Sequence, residues 1–244
     1  MRHLAILALL SAGWAAAAQA QTSDPYRNPW ARTGPIGLNA DAGPKDARAV
    51  LRRFAKCTAT YHHDAARRFL LMPLGSWVPQ PDYRQIADPH CLSFVSGRLR
   101  IGQLAYRGAL AEELVRRDFA HAGPLDARGL PPLDWTVPQP SATDPRTQQR
   151  IESARDVAIA ETVLGELGEC LVREAPVGSL ALLKTTTADT ETAAFEAIRP
   201  QIAGCIQKGN SLTFTRTNLR SAIALSYYRL ASASLASGQQ ESAK

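Results

Sequence analysis

Residues 99–117 read LRIGQLAYRGALAEELVRR, and residues 212–230 read LTFTRTNLRSAIALSYYRL. Set side by side at a displacement of 113, Leu99 meets Leu212, Arg107 meets Arg220, Ala109 meets Ala222, Ala111 meets Ala224 and Arg116 meets Arg229. Where identity is lost the apolar character stays, with Ile101 against Phe214 and Leu110 against Ile223. Alanine matches carry little weight in an alanine-rich chain; the shared displacement carries more. Adding 113 takes Cys57 to Cys170 and Val50-Leu51 to Val163-Leu164, and adding 114 takes Cys91 to Cys205. A fixed offset over separated landmarks is the signature of a repeated unit. The expected fold is therefore mainly α: two similar disulfide-stapled helical units in tandem, each with at most one short strand.

Four cysteines allow three pairings. The repeat favours Cys57 with Cys91 and Cys170 with Cys205, because each unit then closes on itself. Chain-entropy arithmetic gives roughly 3–4 kcal/mol for each loop of this length, before strain. A redox or metal site would favour a close Cys-x-x-Cys spacing, which neither pair has. No metal and no cofactor are expected.

The N-terminus points to export. Arg2 precedes an apolar run from Leu4 to Ala18, broken only by Ser11 among polar residues, and Ala18-Gln19-Ala20 is a small-x-small cleavage signal. Residues 1–20 read as a signal peptide and Gln21 as the first mature residue. The run is too short to span a membrane comfortably, and no later stretch is long and apolar enough. Periplasmic or secreted localisation follows, and disulfides belong in that compartment. The formal charge of +6 is modest and spread along the chain. It suits an anionic envelope surface better than nucleic acid, for which Lys/Arg runs with interleaved aromatics are missing.

Residues 21–45 read as an extended Pro/Gly-rich arm, either pinned by Tyr26 and Trp30 or a disordered leader. Unit 1 covers 46–117. It should hold a helix capped by Asp46 with Val50, Phe54 and Cys57 on one face, a helix from Thr60 to Leu71, and a short helix at Tyr83–Ala87. A short strand is expected at Leu99–Ile101 and an amphipathic helix at Gln103–Arg117. Residues 118–143 form a stiff proline-rich connection that Trp135 can dock. Unit 2 covers 144–232. Asp144 and Pro145 open a helix to about Arg173, weakened at Gly165 and Gly168. Pro176 opens a short helix with Leu180 and Leu183 buried, and 185–187 break the chain. Glu191–Ile206 is helical with a kink at Pro200, Leu212–Thr215 parallel the first strand, and Arg216–Ser232 make the last helix. Residues 233–244 read as a polar tail.

His62-His63-Asp64 is the cluster that looks chemical. Neighbours on a helix point about 100° apart, so the two histidines do not readily share a metal. His90 beside Cys91 can approach them through the staple. These three histidines are the candidate catalytic residues of a hydrolase sited in a cleft between the units; solvated or capping positions are the plainer account. No nucleophile elbow, phosphate loop, zincin motif or dinucleotide fingerprint occurs. Glu112 and Glu113 fall opposite Leu225 and Ser226, so the repeat lends no support to paired carboxylates. Arg107 and Arg220 stand at matching places at the start of the last helix of each unit. Each either pairs with a carboxylate or helix end inside its unit, or the two bind an anionic ligand together.

Lys56-Cys57 and Glu169-Cys170, the second cysteines Cys91 and Cys205, and the helices LAYRGALAEELVRR from Leu104 and LRSAIALSYYRL from Leu219 resemble a group of exported alphaproteobacterial proteins, of sphingomonads especially. The resemblance spans most of 46–232 and implies a secreted helical fold. It brings no activity and no catalytic residue. The expected function is a non-enzymatic envelope protein that binds or braces, its partner an envelope protein or an anionic envelope component. A periplasmic hydrolase is the alternative.

Overall fold

The computed structural model describes residues 44–74, 80–92, 102–136, 145–206 and 212–242. Of the arm expected at 21–45, residues 21–43 lie outside them, as do the expected signal segment and the strand expected at Leu99–Ile101, while residues 44 and 45 belong to a helix. Helix α1 spans Pro44–Tyr61, α2 His63–Leu71, α3 Gln80–Ile86 and α4 Gln103–Asp118, with a 3-10 turn at Pro89–Leu92 before α4. Then follow α5 at Pro145–Glu174, α6 at Pro176–Lys184, α7 at Ala188–Ala197, α8 at Arg199–Cys205 and α9 at Arg216–Ser242. Among the described residues the fold is helical and contains no strand.

The bounds repeat at the displacement read from the sequence. Adding 113 to both ends of α2 gives both ends of α6. The same step takes the last residue of α1 to that of α5, and the first residue of α4 to that of α9. Local chemistry explains the stops. Met72 turns extended (φ −70°, ψ 147°) because a residue before proline is driven out of the helical region. Pro176, near the start of α6, is placed where its missing donor costs nothing. Thr187 and Thr190 make a reciprocal capping box at the start of α7.

Helices α4 and α9 lie against each other at the centre. Helix α1 flanks α4 as α5 flanks α9, and α2 and α6 each touch the long helix of their own half and that of the other. From Leu219 to Ala231 every residue of α9 is buried. That helix has no solvent stripe over this length, so it is surrounded rather than amphipathic. A Cβ added at Gly108 of α4 would overlap the Cα and Cβ of Ser221 on α9. The two residues are 113 apart, so the helices cross where each presents the same register position.

Cys57 is bonded to Cys91 (Cα–Cα 5.5 Å), tying α1 to the 3-10 turn. Cys170 is bonded to Cys205 (Cα–Cα 5.9 Å), tying α5 to α8. Both pairings are the expected ones, and such bonds persist in an oxidising compartment outside the cytoplasm. Among the described residues no helix is long and apolar enough to cross a membrane. Trp135, 3 % exposed, docks the connection onto α5. Gly165 sits beneath its ring, where a Cβ would overlap the indole.

Several local expectations are corrected. Residues 212–215 form no strand: Thr215 instead uses its hydroxyl to accept from the Asn218 amide and its carbonyl to accept from Leu219, starting α9. Helix α5, expected to reach about Arg173, does run on through Gly165 and Gly168 to Glu174, where close packing against Trp135 and α9 offsets the helix cost of the two glycines. The chain between 191 and 206 is two helices separated at Ile198, since Pro200 has no amide to bond back to Glu196. The second helix begins at His63, not Thr60, and α9 runs through the expected polar tail as far as Ser242.

Two outcomes are expected. Gly108→Val should destabilise the chain by about 3 kcal/mol, the upper end for overpacking at a backbone contact, read as a lower urea midpoint. Replacing Cys170 and Cys205 together by serine should cost about 3 kcal/mol by the same measurement; an unchanged midpoint would contradict a stapling role.

Candidate functional site

Two arginines at matching positions are buried in the centre, Arg107 and Arg220. Arg107 is wholly buried and donates from Nη1 to the Met72 carbonyl and from Nη2 to the Pro73 carbonyl at 3.1 Å, closing the end of α2. Its guanidinium lies 4.4 Å from the centre of the Phe69 ring. Burial, with the charge of Arg229 adding to it, lowers the Arg107 pKa to about 9, so the group stays charged at neutral pH. Arg220, at the matching position, donates to the Leu183 and Thr185 carbonyls at 3.2 and 3.3 Å and to Thr185 Oγ1 at 2.6 Å, closing the end of α6. Adding 113 to Met72 gives 185. Each arginine thus satisfies carbonyls that a helix C-terminus leaves without partners.

Arg220 differs in having a carboxylate. Its Nε and Nη2 donate to both oxygens of Glu112 on α4 at 2.9 and 2.6 Å, a two-point pair across the halves. Glu112 also accepts from Arg116 and, at 3.3 Å, from Arg52 of α1. Arg116 reaches Glu113 at 2.6 Å and the Leu183 carbonyl at 3.2 Å. Arg48 of α1 makes a bond of 2.8 Å to Glu191 of α7, which lies 3.5 Å from Arg220. Burial would raise the pKa of Glu112; the hydrogen bond and charge of Arg220, with Arg116 and Arg52, outweigh it and hold the carboxyl below its ordinary value.

The histidines lie elsewhere, around the break between α1 and α2. His62 Nε2 is 2.8 Å from Asp88 Oδ2, and the backbone amide of His90 donates to Asp88 Oδ1 at 2.8 Å. The His62 ring foremost, then that amide, holds Asp88 below the usual carboxylate range. His63 Nε2 is 2.8 Å from Asp118 Oδ1 at the end of α4, and its Nδ1 is 3.3 Å from Asp64. The Tyr228 hydroxyl donates to the other Asp118 oxygen at 3.3 Å. Burial, then the Asp118 charge, pushes Tyr228 up to about 12. His90 meets Tyr61 edge to face at 6.3 Å. The structure therefore gathers His62, His63 and His90 into one region but pairs the first two with separate aspartates. Neither Arg107 nor Arg220 bonds to them. Among the described residues no group of three or more His, Cys, Asp or Glu is placed to hold a metal ion.

An open cleft of about 460 Å³ lies where the connection crosses α5, lined by Trp135, Asp134, Glu166, Glu169, Arg173 and Glu174 among others. Its two central charges are engaged. Glu169 accepts from the Leu133 amide, the Trp135 indole and Arg173, and Arg173 donates onward to the Ala127, Leu130 and Pro131 carbonyls. These bonds hold the connection down; they do not open a site.

Sequence reading set Glu112 aside and missed Arg48, Arg52, Glu191, Asp88 and Asp118. Glu112 has a leucine at the equivalent place, so the repeat argued against it. The charge pattern of α1, with Arg48 and Arg52 one turn apart, was the available signal. Compared with protein-family models, curated proteins and solved structures, the chain matches none.

Glu112→Gln should cost about 2–3 kcal/mol, less than an uncompensated buried charge because the amide oxygen still accepts. A carboxyl with a depressed folded pKa contributes stability that is present above the unfolded value of about 4.5 and lost as pH falls through the folded value. Urea midpoints measured from pH 7 down to pH 3 should therefore fall less steeply in Glu112→Gln than in the parent.

Proposed function

We propose that this chain is an exported, periplasmic or secreted protein that binds or braces in the cell envelope without catalysis, built from two copies of one helical module. The observation that carries the reading is the filled seam between the halves. Gly108 packs on Ser221 with no space for a Cβ, and the Arg220–Glu112 pair occupies the polar part of the same interface. A hydrolase working between the units needs an open cleft there. The matched bounds of α2 and α6, and the matched use of Arg107 and Arg220 to close them, support the two-copy origin. The disulfides and the apolar leader with its small-x-small signal support export. An anionic envelope component or an envelope protein is the partner this reading implies.

One observation favours the hydrolase. His62 and Asp88 have the geometry of an oriented imidazole, with Nε2 held by a carboxylate. No activated nucleophile accompanies them among the described residues, and this keeps the binding reading ahead.

N-terminal sequencing of the protein recovered from its own cells should begin at Gln21, and the disulfide-bonded chain should retain a partner from envelope extracts. Recovery of no partner, together with turnover in a hydrolase substrate panel that is lost in His62→Ala, would replace this reading with the enzymatic one.

A further inference from the structure

The two disulfides are unequally protected. Cys57 is partly exposed, but its partner Cys91 is 0 % exposed, and the turn that carries Cys91 is held in several other ways. Ile86 before it is wholly buried, the Ile86 carbonyl accepts from the Tyr106 hydroxyl, and Asp88 meets His62 Nε2 at 2.8 Å. Cys170 and Cys205 are both partly exposed. Cys170 forms part of the wall of the open cleft where the connection crosses α5, and Cys205 does not. The segment at the other end of this bond is weakly seated. Helix α8 has no buried residue, and Ala203 and Gly204 beside Cys205 are exposed. Ile202 and Ile206 are only partly buried against the core. Gln201 Oε1 is sealed from solvent with no hydrogen-bond partner among the described residues, so the seating of α8 also carries a cost.

We propose that Cys170–Cys205 is a thiol–disulfide exchange site, opened from the cleft by a protein dithiol, and that its reduction releases α8 while Cys57–Cys91 stays closed. A thiolate must reach one sulfur of a disulfide to break it, so access decides which bond reacts. The cleft offers that approach at Cys170. The thiolate of the dithiol attacks Cys170 Sγ, a mixed disulfide forms, and Cys205 leaves as a thiolate that takes up a proton. The second thiol of the reductant then displaces Cys170, which is protonated in turn. Two electrons pass to the chain: one disulfide becomes two thiols, and the dithiol becomes a disulfide. The bond is the substrate of this exchange and not its catalyst, so the close Cys-x-x-Cys spacing of a redox enzyme is not required. Asp134, Glu166, Glu169 and Glu174 outnumber Arg173 around the cleft, which favours a reductant with a basic surface over a small anionic thiol. With the link cut, α8 keeps little apolar contact, and a segment with few buried groups opens locally without global unfolding. Attack on Cys91 requires the core around Ile86 and Tyr106 to open first.

The proposal goes beyond the binding reading and stands or falls apart from it. Its test is timed exposure of the purified, disulfide-bonded chain to dithiothreitol and, separately, to reduced thioredoxin as the probe protein dithiol. The reaction is quenched with N-ethylmaleimide and the alkylated cysteines are mapped by peptide mass. Cys170 and Cys205 should be alkylated at least about tenfold faster than Cys57 and Cys91, with either reductant. A monothiol, 2-mercaptoethanol, should leave its mixed disulfide on Cys170. Hydrogen exchange should quicken across 199–206 in the half-reduced chain and keep the parent rate in α1 and the Cys91 turn. The double variant Cys170→Ser/Cys205→Ser should show the same pattern with no alkyl group present. Cys57–Cys91 opening first or at an equal rate would overturn the proposal, as would a Cys170–Cys205 bond that resists both reductants until urea unfolds the chain. A bond that yields to dithiothreitol but not to thioredoxin would overturn the protein dithiol as reductant, and an adduct on Cys205 would overturn the cleft route. Unchanged exchange across 199–206 in both reduced chain and variant would overturn the release of α8.

Discussion

Everything in the centre depends on how closely α4 and α9 can approach. Gly108 on Ser221 brings two backbones together, and closeness turns the surrounding positions into an interior. Once α9 is enclosed from Leu219 to Ala231, its polar residues cannot face water. Arg220, Ser226 and Arg229 must find partners inside the molecule. Ser226 reaches the Gly165 carbonyl, Arg229 stacks over Trp135 and bonds the Asp134 carbonyl, and Arg220 takes Glu112. The side-chain chemistry of α9 follows from one missing methyl group on α4.

The buried arginines do two jobs. They answer the carbonyls that short helices leave open, which matters most for α2 and α6 because a nine-residue helix has few internal bonds relative to its ends. They also join segments distant in sequence: Arg107 links α4 to the end of α2, and Arg220 joins α9, the end of α6 and α4. The disulfides act elsewhere, fastening the Cys91 turn and α8 back to α1 and α5. Different short segments are thus held in different ways, the Cys91 turn and α8 by a covalent bond and the ends of α2 and α6 by a charged group from the core.

The helical class, both cysteine pairings and the start of each final helix were legible because they depend on local pattern: apolar spacing, a proline at a helix start, an even and regularly spaced set of cysteines. The closing of a helix end inside its own half by Arg107 and by Arg220 was legible as one of two alternatives, whereas the pairing of Arg220 with a carboxylate of the other half was not. The partners were not. Asp88 and Asp118 meet His62 and His63 across 26 and 55 positions, and nothing in a run of residues announces which carboxylate a fold will deliver. Glu112 was obscured for a different reason. Comparison of the two similar segments highlights what they share, and this residue matters because it is not shared. The strand expected at 212–215 had the right residues but no neighbouring strand to pair with among the described residues, and pairing is what makes a strand.

That unshared glutamate has a consequence for how molecules of this chain meet one another. Where α9 faces α4, Arg220 finds a carboxylate; the corresponding place on α9 itself is Leu225. Two α9 helices brought face to face in the same register would seal each guanidinium against leucine, with no counter-ion and no water. Such an encounter is penalised by the charge it strands, whereas the match within one chain is rewarded. The difference between α4 and α9 at this one position makes the two surfaces a plug and a socket, and discourages self-association through the helix enclosed from Leu219 to Ala231.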